Sequence, residues 1–335
     1  LSKGLGRRAR DIAGVFFLAL GLGGCALVVP QTDRLHSAWP DGLPVRAEIA
    51  GLPFFPQEDY QCGPAALATA LAHFKVPVAP ADLVDKVYLP ARQGSLQVEM
   101  LAAPRTLDML SYRLAPRFED LLREVAAGTP VVVLQDYGVW PVSIWHYAVV
   151  AGYDRSRGEL VLRSGVKERL AIPFAVFEYT WKESGYWAMV TMPPGRVPVT
   201  ASEPAYLEAV LALERVARPA APTAAYRALL DRWPANLQAA IGLANRHYAA
   251  GDLDAAEAVL RGALPHHPDS ALLQNNLAQT LSDLGRDEEA LRIIEPVVGR
   301  GGPFAHDVGA THATIVARLG RGLNLKASDS LGARR

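Results

Sequence analysis

Cysteine is nearly absent from this chain: 335 residues hold two thiols, Cys25 and Cys62. Two thiols cannot build an internal disulfide framework, so no cross-linked scaffold underlies the fold. Net charge is also missing, 34 basic against 34 acidic side chains with no basic tract, which argues against a nucleic-acid partner. The apolar run from Ile12 to Leu22 stops at about eleven residues, short of the roughly twenty that span a bilayer. No phosphate-binding glycine–lysine motif occurs, and Gly21 and Gly23 stand in that apolar segment rather than in a dinucleotide loop. None of the eight histidines stands at metal-site spacing with a cysteine or carboxylate, so the sequence calls for neither metal nor cofactor. What is present is the composition of a soluble globular protein, half apolar and a fifth charged.

Lys3, Arg7, Arg8 and Arg10 precede the apolar run, which ends in Leu22-Gly23-Gly24-Cys25. A charged segment, a short apolar one and small residues before a cleavage point make a secretory signal. The junction resembles a bacterial lipobox, whose cysteine becomes the lipidated first residue of the mature chain. That resemblance implies a lipoprotein signal peptide at 1–24, a lipid-anchored linker at 25–50, and membrane attachment through Cys25. Ala26 in place of an aspartate favours the outer membrane, facing the periplasm. Lipidation consumes Cys25 and leaves Cys62 as the only thiol of an exported protein, which points to chemistry rather than stapling.

About 310 residues remain, enough for two domains. The Pro-rich stretch Met192-Pro193-Pro194-Gly195-Arg196-Val197-Pro198 separates unlike halves. Before it, β-type runs at Val131–Leu134, Tyr147–Val150, Leu160–Leu162 and Tyr186–Val190 alternate with helical patterns at Pro64–Phe74, Ala81–Val87, Val98–Met109 and Phe118–Ala126. This predicts an α+β domain over 51–192 and a linker over 193–203. After it the chain is helical and repeats: Pro234 and Pro268, Leu243 and Leu277, Gly251 and Gly285, and Ala256 and Ala290 are each thirty-four residues apart. That period means stacked helix pairs, with the glycines at turns that need positive φ and the alanines where helices approach closely. The pattern resembles tetratricopeptide repeats, an all-α solenoid over 204–319. Two units are clear, Ala205–Ala217 with Ala224–Trp233 makes a partial third, and Phe304–Leu319 caps the stack. The small, polar residues at 320–335 read as a disordered tail.

Cys62 lies in Gln57-Glu58-Asp59-Tyr60-Gln61-Cys62-Gly63-Pro64-Ala65-Ala66-Leu67. Pro64 suits the first turn of a helix, and Leu67, Leu71 and Phe74 repeat along one face of it. A thiol at that helix start faces the positive end of the dipole, which predicts a lowered pKa and a nucleophilic thiolate. Such a nucleophile needs a base. Only His146 lies in a strand-like run, Trp145-His146-Tyr147-Ala148-Val149-Val150, whereas His73, His266, His267, His306 and His312 read as helix-surface or turn residues.

Gln-x-x-x-x-Cys-Gly-Pro-Ala-Ala-Leu, followed by His-Tyr-Ala-Val-Val-Ala-Gly-Tyr-Asp, resembles the bacteriocin-processing, double-glycine class of papain-like cysteine peptidases over about Leu52 to Met192. The resemblance implies a papain-like fold with Cys62 as nucleophile, His146 as general base and acid, and a glutamine donating to the oxyanion. Gln57 is the first choice for that glutamine, with Gln61 or a backbone donor as alternatives, because the family's glutamine stands one residue further from its cysteine. The family's third residue, an Asp or Asn that orients the imidazole, has no counterpart in Leu160-Val161-Leu162-Arg163-Ser164-Gly165. A hairpin turn at Arg155–Gly158 sets Ser164 opposite His146, where its hydroxyl offers a weaker acceptor. Asp136 reaches from the preceding strand, and Asp154 reads as a turn residue.

Taken singly, Cys62 and His146 would be core residues; together, in this order, they make a catalytic-type pair. The leading expectation is an envelope lipoprotein whose cysteine peptidase domain hydrolyses an exported polypeptide, with the repeats recruiting a substrate or protein partner. The rivals are an inactive peptide-binding scaffold, motivated by the missing third residue, and acyl transfer such as transglutamination.

Overall fold

The computed structural model describes residues 28–332 apart from 58–60, 93 and 140. The expected signal segment and Cys25 lie outside the described residues.

The β-branched runs of the first half are too apolar to face water on either side, and they form the middle of one antiparallel sheet. Its strands are β1 (Arg46–Glu48), β4 (Leu110–Arg113), β5 (Val131–Asp136), β6 (Trp145–Asp154), β7 (Glu159–Ser164), β8 (Lys167–Pro173) and β9 (Ala188–Met192). They run in the order β4-β9-β5-β6-β7-β8, with β1 also paired to β6, while β2 (Tyr88–Leu89) and β3 (Gly94–Ser95) make a separate ribbon. Helices Cys62–His73, Phe118–Ala126 and Phe174–Trp181 pack on the sheet, so Val131 to Val133 and Ala148 to Ala151 are fully buried.

Several expected boundaries move. Within the stretch expected as a lipid-anchored linker, the described residues 28–50 carry structure: helix Pro30–Ser37 and β1 fold onto the domain. The buried Glu178 carboxylate accepts the Gln31 and Thr32 N–H groups at the start of that helix, where unpaired donors favour an anion. β1 then pairs Ala47 with Tyr153 on the far half of β6. The helix expected over Val98–Met109 shortens to Gln97–Ala102 and tightens into a 3₁₀ turn at Ala103–Leu107, since Pro104 removes a donor. Leu110–Arg113 then becomes β4, outside the expected strands, as is β8.

The stretch from Pro193 to Ser202 is ordered by its contacts. Glu124 accepts both the N–H and the hydroxyl of Thr200, and Arg232 donates to the Pro198 and Val199 carbonyls. Helix Glu203–Glu214 packs on β4, burying Tyr206, Val210 and Leu213 in a core shared by both halves. Full burial of such side chains contributes about 1.5–3 kcal/mol each, so the first repeat is part of the α+β domain's packing.

The repeats follow the expected period: Glu203–Glu214 with Ala220–Arg232, Leu237–Ala249 with Leu253–Ala263, and Ala271–Asp283 with Asp287–Ile294. Gly251 and Gly285 both turn at φ 76°, while Ala256 and Ala290 are fully buried between helices. The capping helix runs Ala305–Gly332, so 320–332 continue it instead of forming a disordered tail. Proline is absent there, and a helix already nucleated by Phe304–Leu319 gains one hydrogen bond for each residue it adds.

Candidate active site

Cys62 is the first residue of helix Cys62–His73, with Gln61 at the N-cap. The helix starts there because Pro64 suits the first turn and a row of small residues, Ala65, Ala66, Ala68 and Ala70, lets it lie directly on the sheet. Gly63 is required by a close approach: a Cβ there would stand 2.3 Å from Ser95 Oγ and 2.7 Å from Ser95 Cβ on the β2–β3 ribbon. Gly63→Ala is therefore expected to destabilise the domain by about 1–3 kcal/mol, read from urea unfolding; an unchanged midpoint would show that the ribbon yields freely.

His146 enters on β6, one residue after the strand begins. β5 pairs with β6 so that Gln135 stands opposite His146. The expected register of β7 is not the one observed. The hairpin turn pairs Asp154 with Glu159, and past a bulge between Val150 and Gly152 Val149 stands opposite Arg163, so Ser164 is not directly across from His146. Its hydroxyl nonetheless lies 2.9 Å from His146 Nε2, a diagonal reach open to a long side chain. Asp136 is engaged elsewhere: its Oδ1 accepts from Gly138 N (2.8 Å) and Ile144 N (2.7 Å), bracing the β5–β6 loop. Burial opposes the charge of Asp136, but hydrogen bonds from Ser143, Gly138 and Ile144 outweigh it and hold the carboxyl below its ordinary value. Asp154 accepts from Arg157 N in the β6–β7 turn, as a turn residue does.

The Gln57 side chain clamps the site from the other side. Its Oε1 accepts from Gly165 N (3.1 Å) and its Nε2 donates to the Tyr147 carbonyl (3.4 Å). Among the described residues, one N–H of that amide has no acceptor. For Gln61 the helix start shows no side-chain capping bond.

Burial dominates the electrostatics. It pushes the Cys62 thiol up from its ordinary value, and the N–H groups of Tyr147, Gly63 and Cys62 facing the sulfur offset only part of this. The thiolate expected from the helix dipole is therefore not the resting state; desolvation of a charge outweighs half a unit of dipole charge. Burial likewise pulls the His146 imidazole down to about 4. At neutral pH the resting pair is a thiol and an uncharged imidazole. Among the described residues, no hydrogen bond joins the two directly.

Sequence reasoning missed Tyr137. Its ring stacks on the His146 imidazole at 5.0 Å between centroids and 25° between planes. The signal was available in the pairing of β5 with β6, which returns the chain after Asp136 to the side of the histidine: Tyr137 N donates to the Ile144 carbonyl.

The Peptidase_C39 like family matches residues 49–189, and the tetratricopeptide repeat family matches 205–275 and 247–302. The chain thus joins a C39-like α+β domain of papain-like fold to tetratricopeptide repeats. Among solved structures, a C39-like peptidase from Bacillus anthracis is 19% identical with a TM-score of 0.38, the match covering 44% of this chain and 97% of that one. The peptidase domain of Streptococcus ComA, a bifunctional ABC transporter of a quorum-sensing pathway, is 19% identical (TM-score 0.35, 42% and 98% covered). A double glycine motif protease from an AMS/PCAT transporter, in complex with its leader peptide, is 22% identical (TM-score 0.34, 44% and 94% covered). No curated protein matches this chain.

Proposed function

We propose that the C39-like domain is a cysteine peptidase that hydrolyses a peptide bond in an exported polypeptide. The observation that carries this reading is the placement of the His146 imidazole, bonded through Nε2 to Ser164, on the strand whose next N–H, that of Tyr147, faces the Cys62 sulfur. Cys62 is the nucleophile. His146, uncharged at rest, takes the thiol proton as sulfur attacks the carbonyl carbon and returns it to the leaving amine. The Cys62 N–H and the second N–H of the Gln57 amide are the donors for the oxyanion, with Ser164 as orienter of the imidazole. Water then releases the acyl group from sulfur.

The test is the alkylation of Cys62 by iodoacetamide across pH, followed by mass spectrometry of the Cys62 peptide, in the wild-type chain and in His146→Ala. An imidazole that accepts the thiol proton makes the wild type react about tenfold faster at neutral pH. Both should titrate above the ordinary thiol range because partial burial desolvates the sulfur. Equal rates would dissolve the pair. They would favour a peptide-binding scaffold, the reading that the raised thiol and the lack of a carboxylate on His146 support.

The repeats recruit the polypeptide. They form an open groove of about 410 Å³ whose lining includes Asn245, Asn275, Asn276 and Gln279 beside Leu272 and Phe304, and amides can match both the N–H and C=O groups of an extended backbone. The leader and Cys25 support anchoring to the envelope membrane. Because helix Pro30–Ser37 is already docked, a lipid on Cys25 would hold the domain close to the bilayer. Processing unchanged by globomycin would exclude the anchor.

A further inference from the structure

Resting on the reading of the repeats as the surface that recruits the polypeptide, we infer that their groove selects an extended segment bearing an arginine side chain, which Asp307 receives. Helices Leu237–Ala249 and Ala271–Asp283 and the start of the capping helix Ala305–Gly332 wall the groove. Its volume, about 410 Å³, is that of a ligand pocket. Among the described residues that line it, Asp307 is the one acidic side chain, and no lysine, arginine or histidine accompanies it. Asp307 is exposed, in the first turn of the capping helix. The arginines closest to it along the chain, Arg300 and Arg318, pair with Asp269 and Asp283 instead. A carboxylate entering the groove, from a chain terminus or a side chain, would meet like charge and no counter-charge, whereas a cation would find a partner.

The hydrogen bonds behind the wall add a second preference. Asp283 lies outside the lining and its carboxylate can only accept. Tyr248 Oη (2.6 Å), Gln279 Nε2 (2.8 Å) and an Arg318 guanidinium nitrogen (3.0 Å) all donate to it. That fixes the Gln279 amide with its Oε1 turned away from Asp283, where no donor among the described residues meets it. Asn275, whose Nδ2 is turned to Asn276 Oδ1 (3.4 Å), likewise leaves its Oδ1 without a donor. These two lining amides therefore have acceptor oxygens to offer a ligand. A guanidinium is the complementary group. It carries five N–H donors in one plane, and its flat face can stack on the half-buried Phe304 ring in the same wall. An ammonium brings the charge without the flat face. The N–H groups of Asn245 and Asn276 serve the carbonyls of the segment's backbone.

The experiment is fluorescence anisotropy with labelled, end-blocked peptides of alanine and glycine that carry one central arginine, lysine, citrulline or glutamate. They are titrated with the full chain bearing Cys62→Ala, so that no peptide is consumed. Arginine is expected to bind about fivefold more tightly than its neutral isostere citrulline at low salt, the upper range for an exposed ion pair. Lysine should fall between them and glutamate should bind least, and the advantage of arginine should vanish at about 1 M salt. Asp307→Asn is expected to erase that advantage, and Asp307→Lys to transfer it to glutamate. Arginine bound no better than citrulline or lysine, a preference that survives Asp307→Asn, or tighter binding of a peptide with a free terminal carboxylate would each overturn the inference. Peptides that bind without preference would leave recruitment by the repeats standing, whereas no binding by any of them would end both. Should an Asp307 variant misfold, the four peptides on the chain with Asp307 intact decide the matter alone.

Discussion

Exchange of Cys62 for alanine is expected to abolish peptide hydrolysis while the chain stays folded. The sulfur is the only atom at the helix start able to form an acyl intermediate, and no other cysteine is found among the described residues. Alanine keeps the backbone N–H groups of Cys62 and Gly63 and is the best helix former, so the helix start persists. The side chain is only partly buried, and losing it should cost about 1 kcal/mol or less. Cys62→Ser keeps the shape but leaves an uncharged imidazole facing a hydroxyl, a far weaker nucleophile than sulfur. Its activity should fall by roughly three orders of magnitude or more. Fragments of a peptide pool, counted by mass spectrometry, and the urea midpoint together check both halves of the expectation. Fragments still released by Cys62→Ala would remove Cys62 from the mechanism. A variant that binds peptides as the wild type does but cleaves none is what a disarmed peptidase should be.

Removal of the imidazole in His146→Ala is expected to lower kcat about a thousandfold, within the usual range for a general acid–base group, and to leave KM within about twofold. The thiol is pushed up by burial, so at neutral pH it is protonated and cannot attack unless a neighbour takes its proton. His146 also couples stability to pH. Its value falls from 6.5 in an unfolded chain to about 4 in the fold because burial disfavours the charged ring. Between those values the unfolded state binds the proton and the folded state does not, so stability is full above pH 6.5 and is lost as pH falls towards 4. At 1.36 kcal/mol for each pH unit this amounts to roughly 3 kcal/mol. The difference between wild type and His146→Ala in urea titrations at pH 7 and pH 4.5 isolates that contribution from the carboxylates, which titrate in both. A wild-type curve no steeper with pH than the variant's would mean that the imidazole is well solvated. Retention of most of the activity in His146→Ala would assign proton transfer to another group.

Local pattern made much of this architecture legible. The thirty-four-residue period between Gly251 and Gly285 announced helix pairs because a repeated turn needs the same residue each time. The buried run at Tyr147–Val150 announced a central strand because side chains covered on both faces must be apolar on both. Strands with weaker patterns escaped: β4 follows a proline-tightened turn, and β8 alternates exposed and half-buried residues at the sheet edge. The order found over 28–50, part of the expected linker, escaped for a different reason. Helix Pro30–Ser37 is held by Glu178, a partner almost 150 residues away that no local window contains.

The same division runs through the candidate site. Sequence alone singled out Cys62, His146 and Gln57 and the lack of an Asp or Asn after the histidine strand, because residue type and order are properties of the chain. It also brought Ser164 forward as a hydroxyl near the histidine. Tertiary structure alone decided the register that lets Ser164 reach Nε2 diagonally, the stacking of Tyr137 on the imidazole, and the withdrawal of Asp136 into its own loop. It also decided the sign of the thiol's displacement. A helix dipole can be read from position along the chain, but desolvation depends on what the rest of the chain brings over the sulfur, and here that burial is the larger effect.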